Sequence, residues 1–245
     1  PPTTSVSGSL FYDNNYTIDG LSNNNPLDPA NIDSTSYRDI NKLPGHPQNQ
    51  FLSTRTIEQI TVYNSNIPAE FGGFTGGQID VDTIEPTSDF WGNIHYRTTR
   101  DNWSDFHLDP DDKEDFYNSD NTENQPKFDK HDFGFTLNFP LNNDTGIIAS
   151  YQQLKSEIPL NHLDGTYTQI RKNENFFLKL GHYFSSTSHV SVRALYAPTE
   201  GEYFISDYKD GFYTLEGGGY SFAVKSENDF STGTLNVIFG YAGQD

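Results

Sequence analysis

The sequence predicts an all-β protein whose main part is an antiparallel transmembrane β-barrel wall, and three observations support this fold. Strand-like segments follow one another from residue 90 to residue 241. Their connections alternate between short and long, and several segments alternate apolar with polar side chains. Outer-membrane barrels join their strands by short turns at the periplasmic end and by longer loops at the extracellular end. A soluble β-sandwich has no reason to sort its loops in this way.

We predict seven strands in this region. They lie near residues 91–100, 131–139, 145–153, 175–184, 189–197, 219–225 and 232–241. The second, fourth and sixth connections are tight turns. The first, third and fifth are polar, and we expect them to form long extracellular loops near residues 101–130, 155–174 and 198–218. Such loops are where a barrel of this kind first contacts a ligand.

The predicted strands carry the two-residue period that a membrane wall requires, because alternate side chains face lipid and lumen. Residues 133, 135, 137 and 139 are all apolar, whereas Gly134, Thr136 and Asn138 lie on the other face. Aromatic residues near the strand ends suit an interfacial girdle. These are Trp91, Tyr96, Trp103, Tyr183, Phe184, Tyr196, Tyr220 and Tyr241. A soluble sheet with one solvated face explains the alternation of side chains equally well. The regular change between short and long connections is therefore what favours a membrane barrel.

Composition excludes several classes of protein. No run approaches the roughly 18 apolar residues of a membrane helix, so a crossing must use strands. The net charge of -19 disfavours nucleic acid as a partner. The chain has no Cys, which excludes a disulfide scaffold. It also has no Met and begins at Pro1 without a signal segment, so we expect a piece of a longer protein.

The first predicted loop is strongly acidic. Carboxylates clustered in this way can hold Ca²⁺, and the candidate ligands are Asp109, Asp111, Asp112, Glu114, Asp115 and Asp120. The spacing lacks the central Gly and the final Glu of an EF-hand loop. A solvated acidic loop without metal explains the same residues, and we favour it.

Residues 1–90 form a separate, turn-rich module. Its most distinctive feature is a run with glycine at 72, 73, 76 and 77, which precedes a strand-like segment at 78–84. Glycine allows positive φ and close approach of the backbone. The run does not fit a phosphate-binding loop, since no Gly-Lys-Ser/Thr sequence and no helix pattern follow.

Two motifs of this module resemble a known family. Residues 57–62, the sequence Pro-Ala-Glu-Phe-Gly at 68–72, Thr-Gly-Gly at 75–77 and the strand up to Thr83 resemble the end of the plug domain of TonB-dependent outer-membrane receptors, in the Oar-like branch. Upstream, residues 13–21 are similar to the Asn-Asn-Tyr, Ile-Asp-Gly segment of the middle of that plug. The turn after Thr83 departs from the family's Thr-Lys-Ser-Gly-Thr pattern.

The resemblance implies an architecture and a function. It implies that residues 1–89 are the C-terminal part of a small α+β plug, and that residues 90–245 are about the first seven strands of a barrel of about 22. Such receptors bind a ligand at their extracellular loops and admit it through the barrel when TonB, driven by ExbB–ExbD, rearranges the plug. The implied location is the outer membrane of a Gram-negative bacterium, with membrane lipid and an unidentified siderophore, glycan, peptide or protein as partners.

The resemblance also suggests roles for individual residues. Gly72, Gly73, Gly76 and Gly77 would shape tight turns of the plug, and Asp19–Gly20 would form a turn between two short strands. Three charged plug residues would pair with the inner wall and release it by exchanging partners. These are Arg55, Glu58 and Glu70. The aromatic residues that would grip a ligand, or simply pack the third loop, are Tyr203, Phe204, Tyr208, Phe212 and Tyr213.

Catalysis is not expected. The seven histidines show no metal-binding spacing, and no Ser lies in a nucleophile elbow. The alternative function is a secreted, Ca²⁺-dependent adhesin or carbohydrate-binding β-domain. That alternative predicts a soluble protein stabilised by Ca²⁺, whereas a transporter requires detergent for extraction.

Overall fold

The computed structural model describes residues 4–25, 47–122 and 124–244, which form two β-sheets. The small sheet has the order β2-β1-β4-β3. Its strands are β1 (Asn15–Ile18), β2 (Leu21–Ser22), β3 (Ile57–Tyr63) and β4 (Gln78–Thr83). Strand β1 runs parallel to β4, and the other neighbours are antiparallel. We call described residues 4–25 and 47–83 the inner module.

The large sheet, which we call the wall, has seven strands in sequence order, each antiparallel to its neighbour. They are β5 (Trp91–Arg100), β6 (Asp129–Pro140), β7 (Thr145–His162), β8 (Gly165–Ser185), β9 (Ser188–Phe204), β10 (Phe212–Phe230) and β11 (Gly233–Gln244). A short helix, α1 (Lys113–Tyr117), lies between β5 and β6. None of the helices formed by the described residues is long and apolar enough to cross a membrane.

The wall strands are longer than the sequence predicted, and two expected loops are corrected. Residues 155–174 stay in β7 and β8, which pair without a break from Thr145↔His182 to His162↔Gly165. In the segment 198–218, only residues 205–211 lie outside β9 and β10. Polar and charged residues interrupt the alternation in these segments, although Ile158, Leu160 and Phe204 are buried there, while backbone pairing continues. Residues 101–128 do form a long connection.

One end of the wall therefore differs from the other. At the short-turn end, the connections at 141–144, 186–187 and 231–232 follow directly on the strands. At the opposite end, which we call the long-hairpin end, strands of 17 to 21 residues extend well beyond the roughly 9–11 residues that cross a bilayer. The sorting of the two ends predicted from the sequence is present, but paired strands replace much of the loop.

The outer face of the wall carries an apolar band with an aromatic upper edge. Five adjacent strands place one ring each in a single transverse row, which we call the aromatic row: Tyr220, Tyr196, Phe176, Tyr151 and Phe135. The hydroxyl of Tyr151 donates a hydrogen bond to Glu174, 2.6 Å away and nearer the long-hairpin end. Toward the short turns the face is apolar and exposed, with Leu178 at 50% and Phe239 at 74%. This is the arrangement expected where lipid meets water.

The inner face of the wall packs on the inner module. Ile18 of the module is buried with Ile148, Phe177 and Leu195 of β7, β8 and β9. Val81 and the connecting residue Ile84 also pack against this cluster. The hydrophobic core is thus shared between the two sheets, and it positions the polar contacts that surround it.

Candidate functional site

A tight turn places a carboxylate at the edge of the inner module. Asp19 and Gly20 join β1 to β2 with φ of 49° and 78°, the positive values that two-residue hairpin turns require. The Asp19 carboxylate accepts hydrogen bonds from the Thr83 backbone N–H at 2.8 Å and from the Thr83 hydroxyl at 2.7 Å. The turn predicted from the sequence is present, and its side chain is fixed by β4.

Two wall cations meet this carboxylate. Lys179 of β8 and Arg193 of β9 are register partners on the inner face, and each side chain is 2% exposed. Arg193 Nε lies 3.1 Å from Asp19 Oδ2, and Lys179 Nζ lies 3.7 Å from Asp19 Oδ1. Arg193 also donates to the Ile18 carbonyl at 3.4 Å. The wall therefore holds the module through a buried ionic contact.

A second carboxylate completes the cluster. Glu85, just beyond the module, lies 2.5 Å from Lys179 Nζ, which also donates to the Thr83 hydroxyl at 2.9 Å and to its carbonyl at 3.2 Å. Burial raises the pKa of the Glu85 carboxyl, and the Lys179 ammonium lowers it only in part. We call Asp19, Glu85, Lys179 and Arg193 the ionic cluster. Its two carboxylates and two cations balance, as buried charges require.

Energetics indicate what such a cluster can do. A buried ion pair adds little net stability because desolvation cancels most of the attraction, yet removing one partner costs about 3–5 kcal/mol. The cluster is thus a contact that is stable when complete and strongly unfavourable when one member leaves. This property suits a contact that holds one defined position of the inner module.

Further acids of the module face a third wall cation. Lys225 of β10 pairs with Glu227 at 2.9 Å, and Glu227 also lies 2.9 Å from His189. Asp82 of β4 lies within electrostatic range of Lys225. Burial raises the pKa of Asp82, and the neighbouring Asp80 carboxylate raises it further. The module's edge is therefore acidic where the inner face is basic.

Neutral hydrogen bonds join the module to the wall on the side nearer the long hairpins. Gln50 is 1% exposed, and its Oε1 accepts from the Ser221 hydroxyl at 2.9 Å. Its backbone is held by Asn23 through two bonds of 2.9 and 3.0 Å. Asn49 donates to the Gly243 carbonyl at 3.1 Å, and Asn175 donates to the Phe51 carbonyl.

The link between module and wall is fixed by one asparagine. Asn138 of β6 is fully buried and donates to the Thr87 and Asp89 carbonyls at 3.0 and 2.7 Å. Its side-chain oxygen accepts from the Thr87 N–H at 3.1 Å. Residues 84–90 are thus tied to the first wall hairpin, and the departure from the family's pattern after Thr83 occurs in this segment.

The predicted charged module residues have different surroundings. Arg55 donates to Asn93 of β5 at 3.2 Å and so contacts the wall. Glu58 and Glu70 are exposed. The wall cations pair instead with Asp19, which the sequence indicated only as a turn, and with Glu85, which it did not indicate. Lys179 and Arg193 were also missed, although a charged residue in the middle of a membrane-crossing strand is itself a functional signal.

The predicted glycines divide into three kinds. Gly73 has φ of 80°. A Cβ on Gly76 would lie 2.5 Å from Asn14 Oδ1, and one on Gly77 would lie 2.3 Å from Val6 Cγ1, so both positions require close approach. Gly72 has open space around it and no positive φ.

The aromatic residues proposed as ligand contacts are mostly packed together. Phe204 is buried with Ile158 and Leu160, and its ring lies 6.0 Å from that of Phe212. Tyr203 stacks on Tyr213 at 5.5 Å. Tyr208 is 53% exposed, and its carbonyl accepts a hydrogen bond from His162.

The acidic loop contains local hydrogen bonds, but its described carboxylates are not arranged as a set of metal ligands. Asp109 accepts from the Asp111 N–H at 3.1 Å, and Asp112, Glu114 and Asp115 lie at the start of α1. Within residues 4–25, 47–122 and 124–244, no three His, Asp or Glu side chains gather as metal ligands would. Calcium binding by Asp109, Asp120 and their neighbours stays a prediction.

Comparison with known proteins places this geometry in context. A protein of Escherichia coli (strain K12) described as uncharacterized protein YddB is 33% identical over 161 residues, which are 64% of this chain and 20% of that protein. The crystal structure of the outer membrane transporter YddB from Escherichia coli matches with a TM-score of 0.82 and 25% identity, covering 99% of this chain and 32% of that one. No protein-family model matches the chain.

These likenesses bear on the fold and the location. The chain spans about a fifth of the curated relative and about a third of the solved transporter. The all-β fold with an antiparallel barrel wall and the outer-membrane location, both predicted from the sequence, are confirmed. The solved relative is described as a transporter and not as an enzyme.

Proposed function

We propose that the chain is the C-terminal part of the plug and one arc of the barrel of a TonB-dependent outer-membrane transporter. The observation that carries the proposal is the buried ionic cluster, in which Asp19 and Glu85 bind Lys179 and Arg193 of the wall. The cluster holds the inner module in one position against the wall, and an exchange of ionic partners would release the module. The description of the solved relative as an outer membrane transporter supports the same function.

The shape of the wall supports the proposed arc. Strands β5 and β11 are the two edges of the wall, and neither has a second neighbouring strand among the described residues. An open edge in lipid leaves backbone groups without partners at a cost of several kcal/mol each. A closed barrel removes these edges, and the inner module would then fill its lumen as a plug.

The direction of transport follows from the two ends of the wall. Long hairpins extend into the extracellular space in such barrels, while short turns face the periplasm. The inner module has an open cleft of about 490 Å³ on the side opposite the ionic cluster, lined in part by Tyr12, Asn24 and Phe74. A ligand would enter between the hairpins, reach this cleft, and pass when the plug moves.

Energy must come from the inner membrane, because an outer membrane has neither ATP at its surface nor a sealed ion gradient. The motifs at 13–21 and 57–83, similar to plugs of the Oar-like branch, make TonB with ExbB–ExbD the proposed source. The candidate ligands are a siderophore, a glycan, a peptide or a protein.

Labelling of a buried position in cells tests TonB coupling. Thr56 is 0% exposed, so a Thr56→Cys variant of the whole protein is protected from maleimide while the module is seated. We expect labelling in energised cells that contain TonB and protection in cells that lack it. Gln59→Cys is the matched control, because Gln59 is exposed on the adjacent strand and labels in both strains. Equal labelling of Thr56→Cys in the two strains would contradict the proposal.

A further inference from the structure

Charge is sorted between the two faces of the wall on the long-hairpin side of the aromatic row. Register pairing with the cluster residues identifies the inner face, where the charged strand residues are Arg97, Lys130, Arg171 and Asp132. The outer face carries Asp129, Glu157, Glu174, Glu200, Glu202 and Glu216 with Arg100, Lys155 and Lys172. In a chain of net charge -19, the inner face of this region is positive.

Two of the inner cations stand in one transverse row. Lys130 of β6 pairs in register with Ser156 of β7, and Ser156 pairs with Arg171 of β8. Strands lie about 4.8 Å apart, so the two backbones are separated by about 10 Å. This distance allows both long side chains to contact one ligand of moderate size.

Arg171 is held by neutral groups. Its Nη2 donates to the Thr122 hydroxyl at 3.0 Å, and its guanidinium lies 5.5 Å over the Tyr203 ring, which stacks on Tyr213. Its buried Nε and the buried Oε1 of Gln169, two residues away on the same face, have no hydrogen-bond partner among the described residues. No described carboxylate forms an ion pair with Arg171. Among the residues that the structure describes, the neighbours of the guanidinium therefore orient it but do not neutralise it.

Lys130 has the same kind of surroundings. Its Nζ donates to Gln125 Oε1 at 2.8 Å and lies 4.8 Å over the Phe128 ring. No carboxylate of the described residues lies within ion-pair distance of it. By contrast, the outer-face lysines Lys155 and Lys172 each have a carboxylate partner, at 2.6 and 2.7 Å.

We infer that Arg171 and Lys130 form a binding site for an anionic ligand, whose carboxylate, phosphate or sulfate group they contact. A guanidinium presents a planar set of donors that matches such oxyanions. Aromatic rings supply a rigid apolar surface next to the charge. The inference rests on the proposed transporter function, because it names the ligand class that this inner face would admit.

The acidic residues of the loop at 101–128 act against the binding of an anion at this site. This loop reaches both cations through Thr122 and Gln125, and its carboxylates would favour a cationic ligand instead. The sign of the preferred ligand therefore has to be measured with probes of both charges.

Equilibrium binding to the whole protein in detergent tests the inference. The probe is pyranine, a pyrene that carries three sulfonate groups, followed by fluorescence anisotropy; a cationic dye of similar size is measured in parallel. We expect pyranine to bind more tightly than the cationic dye. Arg171→Gln and Lys130→Gln should each weaken pyranine binding about tenfold or more, as loss of a charged hydrogen bond does.

Lys172→Gln is the matched control, since Lys172 is the next residue along β8 and faces outward. It should change pyranine binding less than twofold. Arg171→Lys keeps the charge and should retain part of the affinity for pyranine. This result would show that the loss in Arg171→Gln is not caused by misfolding. Equal losses for Arg171→Gln and Lys172→Gln, or tighter binding of the cationic dye, would overturn the inference.

The experiment separates this inference from the proposed function. Binding is measured without TonB and without an energised membrane, so a failure of TonB coupling leaves the result unchanged. If the cationic dye is preferred while labelling of Thr56→Cys still depends on TonB, the anion site fails and the transporter proposal stands.

Discussion

Lys179 and Arg193 stand directly opposite each other on β8 and β9, and both are directed at the carboxylate of Asp19. Like charges opposed across two strands repel each other. The inner module and the segment just after it supply the compensation, because Asp19 of the module and Glu85 of that segment contact the two cations. The wall therefore carries a pair of charges that is favourable only when the module is in place.

The first prediction concerns the loss of this compensation. Asp19→Asn leaves Arg193 without its carboxylate in a buried site, so the free energy that holds the module in the wall should fall by about 3–5 kcal/mol. The measurement is the urea concentration at which the module becomes susceptible to protease in the whole protein. Glu70→Gln, at an exposed position of the module, should leave it unchanged. A similar midpoint for Asp19→Asn would show that the cluster does not hold the module.

The second prediction concerns pH. Burial raises the pKa of Glu85, so the folded state binds its proton at a higher pH than the unfolded state does. The stability contributed by this group is present below its ordinary value of 4.5 and is lost as pH rises through the raised value. The stability of the natural protein relative to Glu85→Gln should therefore fall as pH rises above about 4.5, in addition to the pH-independent cost of removing a partner of Lys179. The comparison uses urea midpoints at several pH values, with Glu58→Gln as the variant that should show no such trend.

The third prediction concerns the lipid-facing band. Leu178→Arg places a charge in the outer apolar band, two residues along β8 from Phe176 of the aromatic row, and we expect it to cost about 2 kcal/mol of barrel stability, the lower end of the range for a charge facing lipid. Gln153→Arg lies beyond the aromatic row on the same face, and it should cost about 0–1 kcal/mol. Unfolding in lipid vesicles, followed by the heat-modifiable band on a gel, gives both values. An equal loss of barrel stability at Leu178 and Gln153 would contradict the placement of the membrane on the short-turn side of the aromatic row.

The fourth prediction concerns the turn that presents Asp19. A Cβ on Gly20 would lie 2.3 Å from Ile238 Cδ1 of β11, and Gly20 also has a positive φ. Gly20→Ala should lower the free energy that holds the module in the wall by about 1–3 kcal/mol, because it introduces backbone strain and overpacking. Adding Ile238→Ala should recover the overpacking part only. Gly72→Ala, at an open position, should have little effect on the protease midpoint, and an equal loss there would contradict this explanation.

The fold could be predicted because its signal is local. Apolar and polar residues alternate where one face meets lipid, as in residues 133–139, and this pattern together with the turns between segments located the wall strands. The same argument explains the errors at 155–174 and 198–218, where polar and charged residues interrupt the alternation around the buried Ile158, Leu160 and Phe204. Backbone pairing continues there without any pattern in the side chains.

The contacts between module and wall could not be predicted because they join distant parts of the chain. Asp19 meets Lys179 and Arg193 only after the module docks on the wall, and no spacing within the sequence reports that contact. The charge of Arg193 in the middle of a strand is the one clue that the sequence offers. Glu58 and Glu70 are polar residues near a motif, but both are exposed and neither forms an ion pair with a described wall residue.

The most direct test of the account is whether the inner module closes the barrel. The chain has no natural Cys, and a Cβ on Gly219 would lie 2.9 Å from Gln50 Cγ. Gln50→Cys with Gly219→Cys therefore places two thiols within reach of a disulfide once the Asn49 and Gly243 carbonyls, 3.0 and 2.9 Å from that Cβ, shift slightly. The measurement is the ion conductance of the whole protein in a planar lipid bilayer as urea is raised. We predict that the reduced variant opens, as the natural protein does, and that the oxidised variant stays closed until reductant is added. If the oxidised and reduced variants conduct equally at the same urea concentration, release of the module does not control the pore.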